Sequence, residues 1–94
     1  MKTLKWIYKP SGLCPVQAEG YFLGHYFYFR SRWESAWIEF AKTQEDWEAD
    51  NCTRRYKLKS YPAPHAGYIS EKEATWLIYK GLAKYAVGWP STSL

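Results

Sequence analysis

A chain of 94 residues, 47% of them apolar, has room for one domain and too little for two. Its net charge of +4 admits an acidic or nucleic-acid partner without demanding one, and no stretch approaches the run of roughly 18 apolar residues that a membrane helix needs. Two cysteines, Cys14 and Cys52, exclude a disulfide scaffold, and the opening MKTLKWIYKPSG lacks the apolar core of a secretory leader. The expected setting is the cytoplasm, with both thiols reduced and no membrane contact.

Residues 3–8 (TLKWIY) form a short candidate strand ended by the turn signal Lys9-Pro10-Ser11-Gly12. Residues 15–23 (PVQAEGYFL) and 25–32 (HYFYFRSR) are the best strand pair, with Gly24 placed where a tight hairpin needs positive φ. Residues 36–41 (AWIEFA) extend the meander as a third strand of that run. The acidic TQEDWEADNC is either a helical turn capped at Thr43 or a loop. Residues 53–60 (TRRYKLKS) alternate as a further strand, basic enough to sit at an edge. YPAPHAGY, with two prolines and a glycine, is an irregular connection. Ser70 and Glu73 then form an S-x-x-E capping box that opens a helix running to about Val87, which Gly88 and Pro90 stop. Residues 89–94 read as a flexible tail.

Alternation assigns the strand faces. Val16, Ala18, Phe22, Phe27, Phe29, Ile38 and Phe40 fall on one side, opposite Gln17, Glu19, Tyr21, Tyr26, Tyr28, Arg30, Arg32, Trp37 and Glu39. A slip of one residue would carry Arg and Glu into the core, so the register is strongly specified. On the helix, Ala74, Leu77, Ile78, Gly81, Leu82 and Tyr85 share an arc wide enough to cover the apolar face. Gly81 in mid-helix costs about 1 kcal/mol against Ala, which suggests close approach to a bulky Phe or Trp. The expected architecture is α+β: a curled antiparallel meander of three to five strands packed against one C-terminal helix, as a single domain over 1–94.

That core leaves aromatic residues over. The chain holds six Trp, nine Tyr and four Phe, and each aromatic buries about 150–250 Å². Trp76 and Tyr79 lie on the far arc of the helix beside Lys72, Lys80 and Ala83 and need either a covering loop (YPAPHAGY or the C-terminal GWP) or a partner. Tyr26, Tyr28, Arg30, Arg32 and Trp37 interleave rings with guanidinium groups on the outer sheet face. Single-stranded nucleic acid uses such a pattern, since bases stack on rings and phosphates pair with arginine. Arg54, Arg55, Lys57 and Lys59 add a second basic strip. Glu19, Glu39 and the acidic residues 45–50 count against nucleic acid, and no RNA-recognition signature is present.

Chemistry is harder to place. No nucleophile context surrounds Cys14 or Cys52, nothing sets a nucleophile beside His25 or His65, and there is no glycine-rich phosphate loop. Cys14, His25, Cys52 and His65 lack the close pairing of structural zinc ligands. Neither an enzyme nor a bound metal or cofactor is expected.

The runs CPVQAEG (14–20), YFYFRSR (26–32) and AGYIS-x-x-EA-x-x-LI-x-KG (66–81) resemble a family of short uncharacterised proteins of bacteria, phages and other mobile elements. The resemblance covers 14–32 and 66–81, leaves the middle unmatched, and carries no activity or functional residue. It implies a setting in which small accessory proteins include host-defence inhibitors of the anti-CRISPR kind. Two readings follow. One is a non-enzymatic inhibitor that occludes the surface of a larger host protein or complex through Trp76, Tyr79 and the Tyr26/Tyr28/Arg30/Arg32 face. The other is a single-stranded nucleic-acid binder that uses the same sheet face and the second basic strip. A homodimer through the helix's outer face is compatible with both.

Overall fold

Turn chemistry sets the path of the chain. In the computed structural model, which describes residues 3–92, five strands follow one another across a single antiparallel sheet. They are β1 (Leu4–Ser11), β2 (Val16–Phe22), β3 (His25–Arg32), β4 (Ser35–Ala41) and β5 (Arg54–Ser60). A short helix, α1 (Gln44–Glu48), lies between β4 and β5; a 3-10 turn at His65–Tyr68 precedes α2 (Glu71–Ala86). Leu23 and Gly24 join β2 to β3 at φ 54° and 78°, the type I′ pattern whose twist suits the flanking strands. The β3–β4 turn, Trp33-Glu34, has positive φ only at its first position, the usual place of a glycine, and Trp33 adopts 58° there.

The alternation expected from the sequence is the one that forms. Val16, Ala18, Phe22, Phe27, Phe29, Ile38 and Phe40 are buried on one face, and Tyr56 and Leu58 of β5 join them. The pairings Ala18↔Phe29↔Ile38 and Gly20↔Phe27↔Phe40 set these side chains opposite one another on neighbouring strands. Gly20 is required by a close approach, since a Cβ there would lie 2.5 Å from the Lys5 carbonyl oxygen and 2.9 Å from the Phe27 ring.

α2 covers this face. Ala74, Leu77, Ile78, Gly81 and Leu82 are buried, and the Tyr85 ring stacks on Phe40 at 4.0 Å and 9°. The close neighbours of Gly81 are aliphatic, not the Phe or Trp that its mid-helix position suggested: a Cβ would meet Ile38 Cγ2 at 2.7 Å and Leu58 Cδ2 at 3.3 Å. α2 touches both edge strands, β1 and β5, as well as β2 and β4, so the sheet curls around the helix without closing.

The helix ends follow the sequence signals with one change. The Ser70 hydroxyl accepts from the Glu73 amide at 3.0 Å, but the Glu73 carboxylate accepts from the Tyr61 hydroxyl and lies 3.5 Å from Lys59 Nζ. The Tyr61 hydrogen bond, with Lys59 nearby, holds the Glu73 carboxyl below its usual range. At the C-terminus Gly88 has φ 76°, its N–H donates to Tyr85 O (3.1 Å), and the Trp89 N–H donates to Lys84 O (3.0 Å): a Schellman motif.

The tail departs from expectation. Tyr56 Oη donates to Trp89 O (2.7 Å), the Arg55 N–H donates to Ser91 Oγ (3.0 Å), and the Lys57 N–H donates to Thr92 Oγ1 (3.1 Å). The Thr92 N–H donates in turn to Arg55 O (2.8 Å). Residues 89–92 therefore run along β5 and satisfy edge groups that would otherwise template another strand. The last two residues of the expected tail, 93 and 94, lie outside the described residues. No helix among the described residues is long and apolar enough to cross a membrane.

Candidate functional site

The face of the sheet turned away from α2 divides into two halves. In the first, Glu19↔Tyr28↔Glu39↔Arg55 form a row across four strands, with Tyr8 opposite Glu19 on β1. Thr43 caps α1 by accepting from the Asp46 amide at 3.0 Å, which settles the open choice for this segment in favour of a helical turn. That turn sets Trp47 over the tyrosines, 4.6 Å from the Tyr28 ring and 5.7 Å from the Tyr26 ring. Trp47 Nε1 donates to Glu39 Oε1 (2.9 Å), while Glu39 Oε2 pairs with Arg55 Nε at 2.7 Å as an ion contact without hydrogen-bond alignment.

The phenols complete this half. Tyr26 Oη donates to Glu19 Oε1, and Tyr28 Oη donates to Gln17 Oε1 at 2.6 Å. Burial, then the hydrogen bond to Glu19, holds Tyr26 protonated far above the usual tyrosine range. Burial and the Glu19 charge push Tyr8 up to about 12. Burial raises Tyr28 as well, against the opposing charge of Arg30.

These contacts correct the expectation for two residues. Tyr26 is fully buried (0% exposed), so it is closed to any partner, and Tyr28 is half-buried beneath Trp47. The reason is α1: the acidic segment carries a Trp at the right place to cover them. Arg55 is committed to Glu39 and half-buried. Arg54 pairs in register with the core residue Phe40, so alternation sends it to the helix side of the sheet, where its guanidinium donates to Thr53 O at 2.8 Å. Lys59 likewise turns to Glu73 on α2. The second basic strip is thus split between two faces.

The other half of the outer face is open. Arg30 and Arg32 are exposed, and among the described residues neither guanidinium has an ion-pair partner. Trp37 is half-buried, paired in register between Arg30 and the exposed Lys57, with Nε1 donating to Ser35 Oγ at 3.0 Å. A depression of about 310 Å³ is lined by Arg30, Arg32, Trp33, Glu34, Ser35 and Trp37. A second, of about 240 Å³, shares the Arg30 and Trp37 walls with it. Trp33, which sequence reasoning did not single out, is 56% exposed at the rim. Its only signal was its position as a bulky residue between two strands.

α2 offers a different kind of surface. Trp76 is 72% exposed, Tyr79 48% and Val87 71%, and Ala83 is exposed between them. Neither candidate cover lies over them. The 61–68 connection packs on the β3–β4 turn instead: the Ala66 N–H donates to Trp33 O (3.1 Å), and the Tyr61 N–H donates to Glu34 O (2.7 Å). Ser31 Oγ donates to Ala66 O at 2.6 Å, which satisfies the hydroxyl of this fully buried residue.

The histidines and cysteines have ordinary surroundings. His25 packs against Tyr85 (5.7 Å) and His65 against Tyr61 (5.3 Å). Cys14 is exposed, and burial raises the pKa of the Cys52 thiol, which lowers its thiolate fraction. Among the described residues no three His, Cys, Asp or Glu side chains gather into a metal-holding group. Comparison of the chain with family models, curated proteins and solved structures finds no match.

Proposed function

We propose that this chain is a non-enzymatic binding protein that lays the outer face of α2 into a groove on a larger host protein and acts by occupying it. The supporting observation is that α2 carries two apolar stripes and the fold uses only one. Ala74, Leu77, Ile78 and Leu82 are spent on the sheet, while Trp76, Tyr79, Ala83 and Val87 remain exposed. Their spacing of i, i+3, i+7 and i+11 is that of a helix anchored in a groove, and Trp and Tyr are the residues that dominate interface energies. Lys72 and Lys80 flank the stripe, which suits an apolar groove with an acidic rim. The resemblance of 14–32 and 66–81 to short phage and mobile-element proteins supplies the setting, a host-defence complex inhibited by occlusion.

The test replaces Trp76 and Tyr79 together with Ala. Stability is expected to stay within about 1 kcal/mol of the parent, because both rings are exposed. Affinity capture from nuclease-treated host extract should retain a protein with the parent chain and lose it with the double variant. Identical retention by both chains, or a large loss of stability, refutes the reading.

A further inference from the structure

We propose that the open half of the outer sheet face is a binding site for single-stranded nucleic acid, separate from the α2 surface. Its charge points to an anion. Arg30, Arg32 and Lys57 project from one face, and the nearest carboxylates on that face are already engaged: Glu39 with Arg55 and Trp47, Glu19 with Tyr26. Glu34 is the one acidic residue at the wall of the larger depression.

Its rings point to an unpaired base. Trp37 lines both depressions, and Trp33 stands at the rim of the larger one. A duplex hides its base faces, so an exposed indole beside guanidinium groups selects single strands, where stacking is tolerant of sequence. Trp33 is also held in place. It occupies a positive-φ position that disfavours any side chain, and the carbonyls of Trp33 and Glu34 are both pinned by the 61–66 connection. The backbone beneath the ring is fixed while the ring stays free, so little order is lost when a base stacks on it.

The experiment is a titration of the full chain with a fluorescent oligothymidylate, followed by anisotropy from about 50 mM to about 200 mM salt. Three cationic contacts at about −0.7 each predict a logarithmic salt slope near −2, or about a 20-fold loss of affinity over that range. The Arg30→Ala/Arg32→Ala double variant should weaken binding about 10-fold or more and bring the slope to about −0.7. Trp33→Gly removes the ring, keeps a residue suited to the turn, and should weaken binding about 5-fold or more with the slope unchanged. Trp76→Ala/Tyr79→Ala should bind the oligonucleotide as the parent does, so this site and the α2 surface fail independently.

Absence of binding at about 50 mM salt overturns the proposal. So does a slope that the arginine substitutions leave unmoved. If heparin competes as well as an oligonucleotide of equal charge and Trp33→Gly has no effect, the surface is a plain polyanion patch and the nucleic-acid assignment falls.

Discussion

Tyr26 and Arg32 sit on the same strand, point to the same side of the same sheet, and meet opposite fates. Around Tyr26 the outer face is a second small core: Trp47 covers two tyrosines, and Glu19 and Glu39 accept from hydroxyl and indole donors. Around Arg32 the guanidinium groups have no ion-pair partner among the described residues and an indole is exposed. Helix α1 crosses only the first half. A single turn of helix, capped by Thr43, thus converts half of an ordinary solvent-facing sheet into interior and leaves the other half available.

The largest test of that contrast is Trp47→Ala. It removes the cover of Tyr26 and Tyr28 and leaves Glu39 Oε1 without its indole donor, so a loss of about 2–3 kcal/mol is expected, toward the lower end for a large aromatic because Trp47 is only half-buried. Urea unfolding should show a lower midpoint with an unchanged slope. A loss below about 0.5 kcal/mol would mean that the covered half is ordinary surface.

Alkaline titration probes the same half. Tyr8 and Tyr26 have folded pKa values raised above the usual 10, so the fold retains phenolic protons that the unfolded chain releases. Their contribution to stability is complete below pH 10; that of Tyr8 is lost as pH rises from 10 through about 12, and that of Tyr26 goes on falling above that point. Thermal melts across that window should decline, and Tyr8→Phe should make the decline shallower. The absorbance of ionised tyrosine should show a late component that appears only near pH 12. A single early titration of every tyrosine would dissolve the distinction.

The helix repeats the contrast between a filled and a vacant side. Gly81→Ala improves helix propensity by about 1 kcal/mol, yet the added methyl meets Ile38 Cγ2 at 2.7 Å in the middle of the core. Overpacking of about 1–3 kcal/mol outweighs the propensity, so a net loss of about 1 kcal/mol is expected by chemical denaturation. Any gain in stability would show that the sheet side of α2 has slack. The smallest effect belongs to the open half: Trp33→Gly relieves a positive-φ residue and removes a ring that is 56% exposed, so the change should lie within about 1 kcal/mol of zero. A clear destabilisation would place the Trp33 ring in the fold rather than at a binding surface.

Local chemistry was enough for much of this protein. Period-two alternation in 15–41 determined the strands, their register and the buried set from Val16 to Phe40, because one displaced residue would bury Arg and Glu. The Ser70 cap and Gly88 stop determined α2, and the outward direction of Trp76 and Tyr79 followed from the helical period alone. The tertiary structure decided what lay beyond alternation and period. Whether Tyr26 faced water depended on where an acidic turn of a few residues came to rest. Arg54 and Lys59 left the basic strip because β5 pairs in a particular register with β4. Ser91 and Thr92 were ordered by an edge strand distant in sequence. In each case the deciding contact joins segments far apart in the chain, and no spacing within either segment records the other's position.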